Sequence, residues 1–379
     1  MKISIIVSNS LRKDPRVIKQ IKIAMAAGYE VQFVGYKDLN YDKSFLDNVG
    51  CRYDIVDLGE NYVGQLNSIY KKIKRRIVRK ELAIKYICDF NPDIIHANDF
   101  DMLGLAYRAA KKCRAGLVYD SHEVNAENIG VAENKLLKTY IIKSEGRLVH
   151  KVDKMISVSN AAADYFKEKY HIERPTVITN CPMKNTLPLK EKSNEFEVIY
   201  QGLLVKGRGY EEFILSSKYL NDGITPVIRG YGSLESDLRD LIKRENLSDK
   251  VRFDPPVEVN QLISAVSSSH IGIVITQPVN LNFKLSVSNK VFEYAAAGLP
   301  VILSDVPEHR YLNEKYNFGI IIEDVEPKCI AEAANTLYQD TELYNRLSEN
   351  AKIMSEEMNW ENESKKLLGL YAEVYNKYK

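Results

Sequence analysis

Two α/β domains in tandem, each a doubly wound parallel sheet, are what this sequence predicts, on three observations. Short β-branched runs alternate with helical stretches along most of the chain, the signature of sheets assembled from βαβ units. The alternation stops once, after Thr179, in a polar stretch with prolines, and then starts again. The chain of 379 residues is also too long for one ordinary core and suits two of roughly 150 to 200 residues each.

The first strand is Ile3 to Val7. Asp14 and Pro15 then stand where a helix takes its cap and first residue, Val17, Ile21, Ala24 and Met25 recur at helical spacing, and Gly28 ends the helix. Strands Val31 to Gly35, Ile55 to Leu58, Asp93 to His96, Leu117 to Tyr119, Met155 to Val158 and Thr176 to Ile178 complete a first domain over 1–180. A helix from Met102 to Lys111 joins two of them, with Asp99 and Asp101 expected as its cap and dipole partners. Residues 181–196, with Pro182, Pro188 and the charges from Lys190 onward, read as a linker. Strands Val198 to Tyr200, Val227 to Ile228, Val251 to Phe253, Ile271 to Ile275, Val301 to Leu303 and Gly319 to Ile322 build a second domain over 197–355, with helices near 210–219, 234–245, 289–297 and 328–338. A closing helix is expected in 356–379. Sheets of this kind bind ligands beyond their strand carboxyl ends, so a site is expected in a cleft between the domains.

Composition removes several function classes. With 45% hydrophobic and 27% charged residues the chain is ordinary globular protein, and a net charge of +2 supplies no field for nucleic acid. Cys51, Cys88, Cys113, Cys181 and Cys329 are spread along the sequence without CxxC pairs and read as reduced thiols. The opening apolar run is too short for a secretory signal, and no stretch reaches the ~18 to 20 apolar residues of a membrane helix. A cytoplasmic protein that meets a membrane from the side, if at all, is the expectation.

The loop after the first strand, Ser8 to Val17, carries neither Gly-x-Gly-x-x-Gly nor a P-loop, which disfavours a dinucleotide dehydrogenase or an NTPase. In the second domain Val198 to Gly209 is a strand, a glycine-rich turn at Gly202 and a helix start, and Arg208 adds a cation suited to a diphosphate. Arg229-Gly230-Tyr231-Gly232 repeats the design, with glycines expected to let backbone approach a ligand. The most specific segment is Ser288-Asn289-Lys290-Val291-Phe292-Glu293-Tyr294 followed by Ala295 to Pro300. Glu293 in the first turns of that helix can accept two hydrogen bonds from a ribose diol, while amides of Ser288 and Asn289 face phosphate oxygens.

The pattern Lys290-x-x-Glu293-Tyr294-x-Ala296-x-Gly298-x-Pro300, with Tyr200-x-Gly202 and Arg208-Gly209 upstream, resembles the donor-binding domain of the retaining GT-B glycosyltransferases of family 4. Asp14 to Val17, Gly28 to Val31, Asp93 to Ala97, Val158 to Asn160 and Asn180-x-Pro182 resemble its acceptor-side domain, and the segment from Trp360 to Tyr371 its closing helix. The resemblance implies a GT-B fold and transfer of a sugar from a nucleotide-sugar donor to a glycan acceptor, a lipid-linked or cell-surface polysaccharide precursor, with retention and without a metal or other cofactor. It assigns Glu293 to the donor ribose, Arg208 to the diphosphate, His122 of Asp120-Ser121-His122-Glu123 to the sugar side, and to Gly202 close approach of the phosphates. Arg208, Lys290 and amides near Gly202 and Ser288 would stabilise the leaving diphosphate. Two positions depart from the pattern: Leu285 stands where a second glutamate is usual, and Leu203 where an arginine is usual. Lys290 is a candidate for the missing cation.

Four other readings stand beside this one. A GT-B-like nucleotide-sugar epimerase shares the cleft but demands further acids at the sugar, against Leu285; a non-catalytic scaffold of the same fold is the other alternative. Asp120, His122 and Glu123 could together hold a metal, yet no further His or Cys completes a set. Finally, Lys71, Lys72, Lys74, Arg75, Arg76, Arg79 and Lys80 crowd one stretch in which Leu66, Ile69, Ile73, Ile77 and Ile84 fall on one helical arc. That amphipathic helix suits either plain solvent or an anionic membrane surface.

Overall fold

The computed structural model describes residues 1–58, 69–128, 131–184, 187–277 and 280–379; side chains 69–73 also lie outside the described residues. The chain forms two compact units, Met1–Thr179 with Ser364–Lys379, and Asn180–Glu363. The second takes in the polar stretch 181–196, whose backbone is tied to it where Lys190 donates to the Ser267 hydroxyl at 2.8 Å and Ser193 to the Ser268 carbonyl at 2.8 Å.

In the first unit β1 (Lys2–Ile6), β2 (Glu30–Tyr36), β3 (Arg52–Val56), β4 (Ile94–Asn98), β5 (Gly116–Ser121), β6 (Lys154–Ser157) and β7 (Thr176–Val177) pair in the order β3-β2-β1-β4-β5-β6-β7, parallel throughout. Helices α1 (Pro15–Ala26), α2 (Lys43–Val49), α3 (Ile69–Phe90), α4 (Phe100–Cys113), α5 (Lys135–Val149) and α6 (Asn160–Tyr170) connect them. Asp14 caps α1 by accepting from the Val17 amide at 3.2 Å, as its sequence predicts. Ile6, Val34, Ile95, Ala97 and Leu117 of the sheet pack with Leu105 and Ala109 of α4 and Ile84 and Ile87 of α3. Cys88 and Cys113, far apart in sequence, meet across these two helices with sulfurs 3.2 Å apart.

In the second unit β8 (Phe196–Leu203), β9 (Ile224–Tyr231), β10 (Arg252–Asp254), β11 (Ile271–Val274), β12 (Val301–Ser304) and β13 (Gly319–Ile322) pair in the order β10-β9-β8-β11-β12-β13, again parallel. The helices are α7 (Tyr210–Ser216), α8 (Glu235–Arg244), α9 (Leu262–Val266), α10 (Leu281–Leu285), α11 (Asn289–Ala296), α12 (Pro307–Tyr316), α13 (Pro327–Gln339) and α14 (Thr341–Glu357). Both faces of this sheet are buried. Val198 and Tyr200 point to one core and Ile199 to the other, which is why its strands read as unbroken apolar runs.

The closing helix α15 (Trp360–Tyr378) begins in the second unit and ends on the first. Leu367, Leu370, Tyr371 and Val374, spaced one helical face apart, are buried. Gly116 makes room for them, since a Cβ there would stand 2.3 Å from Val374. Lys377 and the Tyr378 hydroxyl, at 2.6 and 3.0 Å from Asp153, fix its end.

Two expectations need correction. The third strand runs Arg52–Val56 rather than Ile55 to Leu58, because its exposed Arg52 and half-buried Tyr53 and Asp54 hide an edge strand from a hydropathy reading. Ile77, expected on the inward arc of the basic helix, is 55% exposed.

Candidate active site

Each sheet reverses its strand order once, between β1 and β4 and between β8 and β11, and an open α/β sheet leaves a ligand crevice at that point. In the first unit β4 ends in His96 and Asn98, Asp99 follows, and β5 delivers Asp120 with His122 behind it. Asp120 is fully buried and takes Arg16 in a two-pronged pair, Nε to Oδ2 and Nη2 to Oδ1, both at 2.9 Å, plus the Gln20 amide at 2.6 Å. The cap at Asp14 starts α1 so that Arg16 lies on this buried face, where Nη1 also donates to the Ile178 carbonyl at 2.9 Å. Burial alone would raise the Asp120 carboxyl, but Arg16 and then His122 outweigh it and hold it well below its usual range.

His122 is 17% exposed. Its backbone amide donates to Asp99 Oδ1 at 3.0 Å, its Nδ1 stands 3.1 Å from Asp99 Oδ2, and its Nε2 stands 3.0 Å from Asn98 Oδ1 and 3.5 Å from Asp120 Oδ2. Burial works against the charged ring, yet Asp99 and Asp120 more than offset it and raise its pKa to about 10. The ring is an imidazolium at neutral pH, with both nitrogens as donors. Asp99 departs from the role expected of it. At φ 63° it makes no side-chain cap for α4 and turns its carboxylate to His122, while Asp101 stays in the helix's first turn. Sequence reasoning gave no role to Arg16, His96, Asn98 or Tyr371, because their convergence is long-range. Asp120 has no oxygen left uncommitted for the metal reading. Among the described residues no group of three or more His, Cys, Asp or Glu is arranged to hold a metal ion.

In the second unit the Tyr200 hydroxyl donates to the Arg208 carbonyl and so fixes the loop after β8. The Arg208 guanidinium stacks 4.5 Å over the Phe283 ring of α10, with Nη1 3.4 Å from the Thr276 hydroxyl after β11. Lys290, in the first turn of α11, lays its side chain over Gly202, where a Cβ would stand 2.1 Å from Cε and 2.6 Å from Nζ. Burial and then Arg208 lower the Lys290 ammonium to about 8, against the pull of Glu293. One turn on, Glu293 accepts from the Gln201 amide at 3.1 Å. Ser288 stands at the amino cap of α11 without a side-chain cap bond, and Asn289 is exposed beside it. His309 of α12, which sequence reasoning passed over, is buried, stands 2.8 Å from the Ser304 carbonyl, and is lowered to about 4 by burial and the nearby Arg208. It is neutral at pH 7.

Within the unit the glycines make room for their own neighbours. Gly202, at φ 139°, makes room for Lys290, Gly230 for the Gly202 carbonyl of the neighbouring strand, and Gly232 for the backbone of Leu204. Leu203 is 52% exposed and lies opposite Tyr231 on β9, also exposed, so an apolar edge stands where the resemblance has an arginine. Leu285 is buried at the end of α10.

On α3, Lys74, Arg76 and Lys80 are exposed, Arg75 and Arg79 half-buried, and the Arg79 guanidinium stacks 4.1 Å over Tyr36. The side chains of Lys71 and Lys72, and all of Leu66, lie outside the described residues. No described helix is long and apolar enough to cross a membrane.

Comparison with known proteins adds two family matches. Residues 17–181 match the profile described as Glycosyltransferase Family 4, and residues 185–354 that of Glycosyl transferases group 1. An uncharacterized glycosyltransferase of Haemophilus influenzae is 26% identical over 214 residues, which are 54% of this chain and only 57% of that protein. Among solved structures, Anabaena HepE in complex with UDP superposes with a TM-score of 0.77 at 17% identity, over 98% of this chain and all of that one, and HepE has also been crystallised with UDP-glucose. Sucrose-phosphate synthase from Thermosynechococcus elongatus matches over the full length of both chains, with a TM-score of 0.74 at 17% identity.

Proposed function

The chain belongs to the family 4 glycosyltransferases and has their GT-B fold, and from that premise we propose that its second unit binds a nucleotide sugar whose sugar is transferred, with retention and without a metal, to a glycan acceptor. The observation that carries this reading is the placement of Arg208 and Lys290 at the reversal point of the second sheet, with Glu293 one turn beyond Lys290. Two cations crowd one place, and burial and Arg208 together depress Lys290. A diphosphate relieves that repulsion and gains two charge-assisted contacts. Glu293 then takes the ribose diol, and amides at Ser288 and Asn289 the phosphate oxygens, assisted by the dipole of α11.

In the reaction the bond from the anomeric carbon to the phosphate oxygen breaks and one to the acceptor oxygen forms. Negative charge grows on the leaving diphosphate, where Arg208 and Lys290 oppose it. His122 holds its proton at neutral pH with both N–H groups on Asp99, Asn98 and Asp120, so it serves the sugar side as a fixed positive charge rather than as a base. The acceptor proton therefore goes to the departing phosphate oxygen, which keeps the new bond on the face of the old one. The acceptor we favour is a lipid-linked or cell-surface polysaccharide precursor, met on the cytoplasmic side of a membrane to which the basic face of α3 holds the protein peripherally.

A thermal-shift panel of UDP-, GDP- and ADP-sugars tests the reading, UDP first because HepE binds it. A ligand at a hundredfold excess over Kd stabilises by about 2.7 kcal/mol. One nucleotide class should raise Tm in the wild type and fail to do so in Glu293→Gln. A panel with no shift at millimolar concentrations contradicts the reading.

A further inference from the structure

We propose that Tyr371 of α15 is a positioning residue for His122: its hydroxyl donates to Nδ1 of His96, which places the His96 proton on Nε2 and aims that N–H at Asp120, the carboxylate that His122 also faces. The inference rests on the reading of His122 as the acceptor-side histidine. Tyr371, His96 and Asp120 are all fully buried. The Tyr371 hydroxyl is 2.6 Å from His96 Nδ1, and the two rings meet edge to face with centroids 5.7 Å apart. His96 Nε2 makes no hydrogen bond among the described residues and stands 3.7 Å from Asp120 Oδ2.

Only one arrangement of protons suits these distances. Burial keeps the tyrosine protonated, with its pKa well above the usual 10, and keeps His96 uncharged by pushing its pKa down. A neutral imidazole has one N–H and one lone pair. With the proton on Nδ1, the Nε2 lone pair would face a buried carboxylate and repel it. With the proton on Nε2, the N–H attracts Asp120 and the Nδ1 lone pair accepts from Tyr371. Arg16 of α1 spans both oxygens of Asp120 and Gln20 binds Oδ2, the oxygen that His96 and His122 also face, while Asp99, Asn98 and Asp120 surround His122, with Glu123 next to it in the chain. His96 is thus the link between Tyr371 and the charge that holds His122. The Asp-Ile-Ile-His-Ala run at 93–97 was visible in the sequence, but nothing local pairs it with position 371.

The test is histidine-selective 15N NMR on the full chain at neutral pH, with the six histidines assigned by single substitutions such as His96→Gln. The wild type should show His96 neutral with its proton on Nε2. In Tyr371→Phe the His96 signal should lose that single tautomer and the His122 ring shifts should move, with kcat for transfer down about tenfold and the KM for donor within about twofold. A wild-type His96 that is charged or protonated on Nδ1 overturns the proposal, as do His122 shifts unmoved in Tyr371→Phe. If that variant does not fold, the wild-type tautomer decides alone. The spectra need no turnover, so a chain inactive in transfer would count against the function above and leave this link to its own result.

Discussion

Lys290 offers a quantitative test of the donor site, because its charge is unsettled before the nucleotide arrives. Its ammonium is lowered to about 8 by burial and then by Arg208. A diphosphate within reach favours the charged form and returns the pKa to at least the ordinary lysine value of about 10.4. Binding must then take up protons: about half a proton per nucleotide at pH 8 and about 0.9 at pH 9. Affinity should fall with rising pH, by about 30-fold between pH 7 and 9.5. Calorimetry with the nucleoside diphosphate in two buffers of different ionisation enthalpy reads both quantities. Lys290→Met should bind more weakly at pH 7 and lose the pH dependence. A flat affinity from pH 7 to 9.5 with no proton uptake would remove Lys290 from the phosphate site. The same shift has a sign for stability: Lys290 costs the free protein stability below pH 8 and returns it as pH rises from about 8 to 10.5.

Other expectations follow from the same geometry. Arg208→Ala should lower kcat more than it raises KM, since its charge matters most as the diphosphate departs; steady-state kinetics with an unaltered kcat would return Arg208 to solvent. Gly202→Ala places a methyl group 2.1 Å from the Lys290 Cε and must displace that side chain, so its loss of nucleotide affinity should not add to that of Lys290→Met in a double-mutant cycle; full additivity counts against the contact. His122→Ala should abolish most transfer and leave nucleotide affinity near normal by calorimetry. Because the His122 pKa is raised from 6.5 to about 10, its contribution to stability is whole below pH 6.5 and is lost as pH climbs towards 10. Thermal melts across that range should therefore fall more steeply for wild type than for His122→Gln. Changing Arg75 and Arg76 to Gln should weaken co-sedimentation with anionic vesicles at low salt, each charge contributing about 1 kcal/mol near the surface; indifference of the wild type to such vesicles makes α3 an ordinary solvated face.

The fold was legible because its evidence is local. β-branched runs and helical spacing lie within windows of ten residues, and every strand expected from them exists, β3 being displaced by its polar edge position. In the second unit the sequence displays the glycines and the helix start, and the structure brings Arg208, Lys290 and Glu293 near one another there. What local reading could not supply was who faces whom. Gly202 lies under a lysine 88 positions later. Asp99 looked like a cap and holds a histidine. The Arg16–Asp120 pair and the Tyr371–His96 contact join residues 104 and 275 positions apart, and no periodicity reports a contact of that range.

The most direct test of sugar transfer is product analysis with one radiolabelled nucleotide sugar, chosen by the thermal-shift panel and incubated with the protein and with lipid and glycan extracts. The account predicts that label leaves the nucleotide and appears on an acceptor, with release of one nucleoside diphosphate per sugar and loss of both in Glu293→Gln and Arg208→Ala. Label that stays on the nucleotide as an altered sugar would make the protein an epimerase. Label that stays unchanged despite tight binding would make it a scaffold, and either result contradicts transfer.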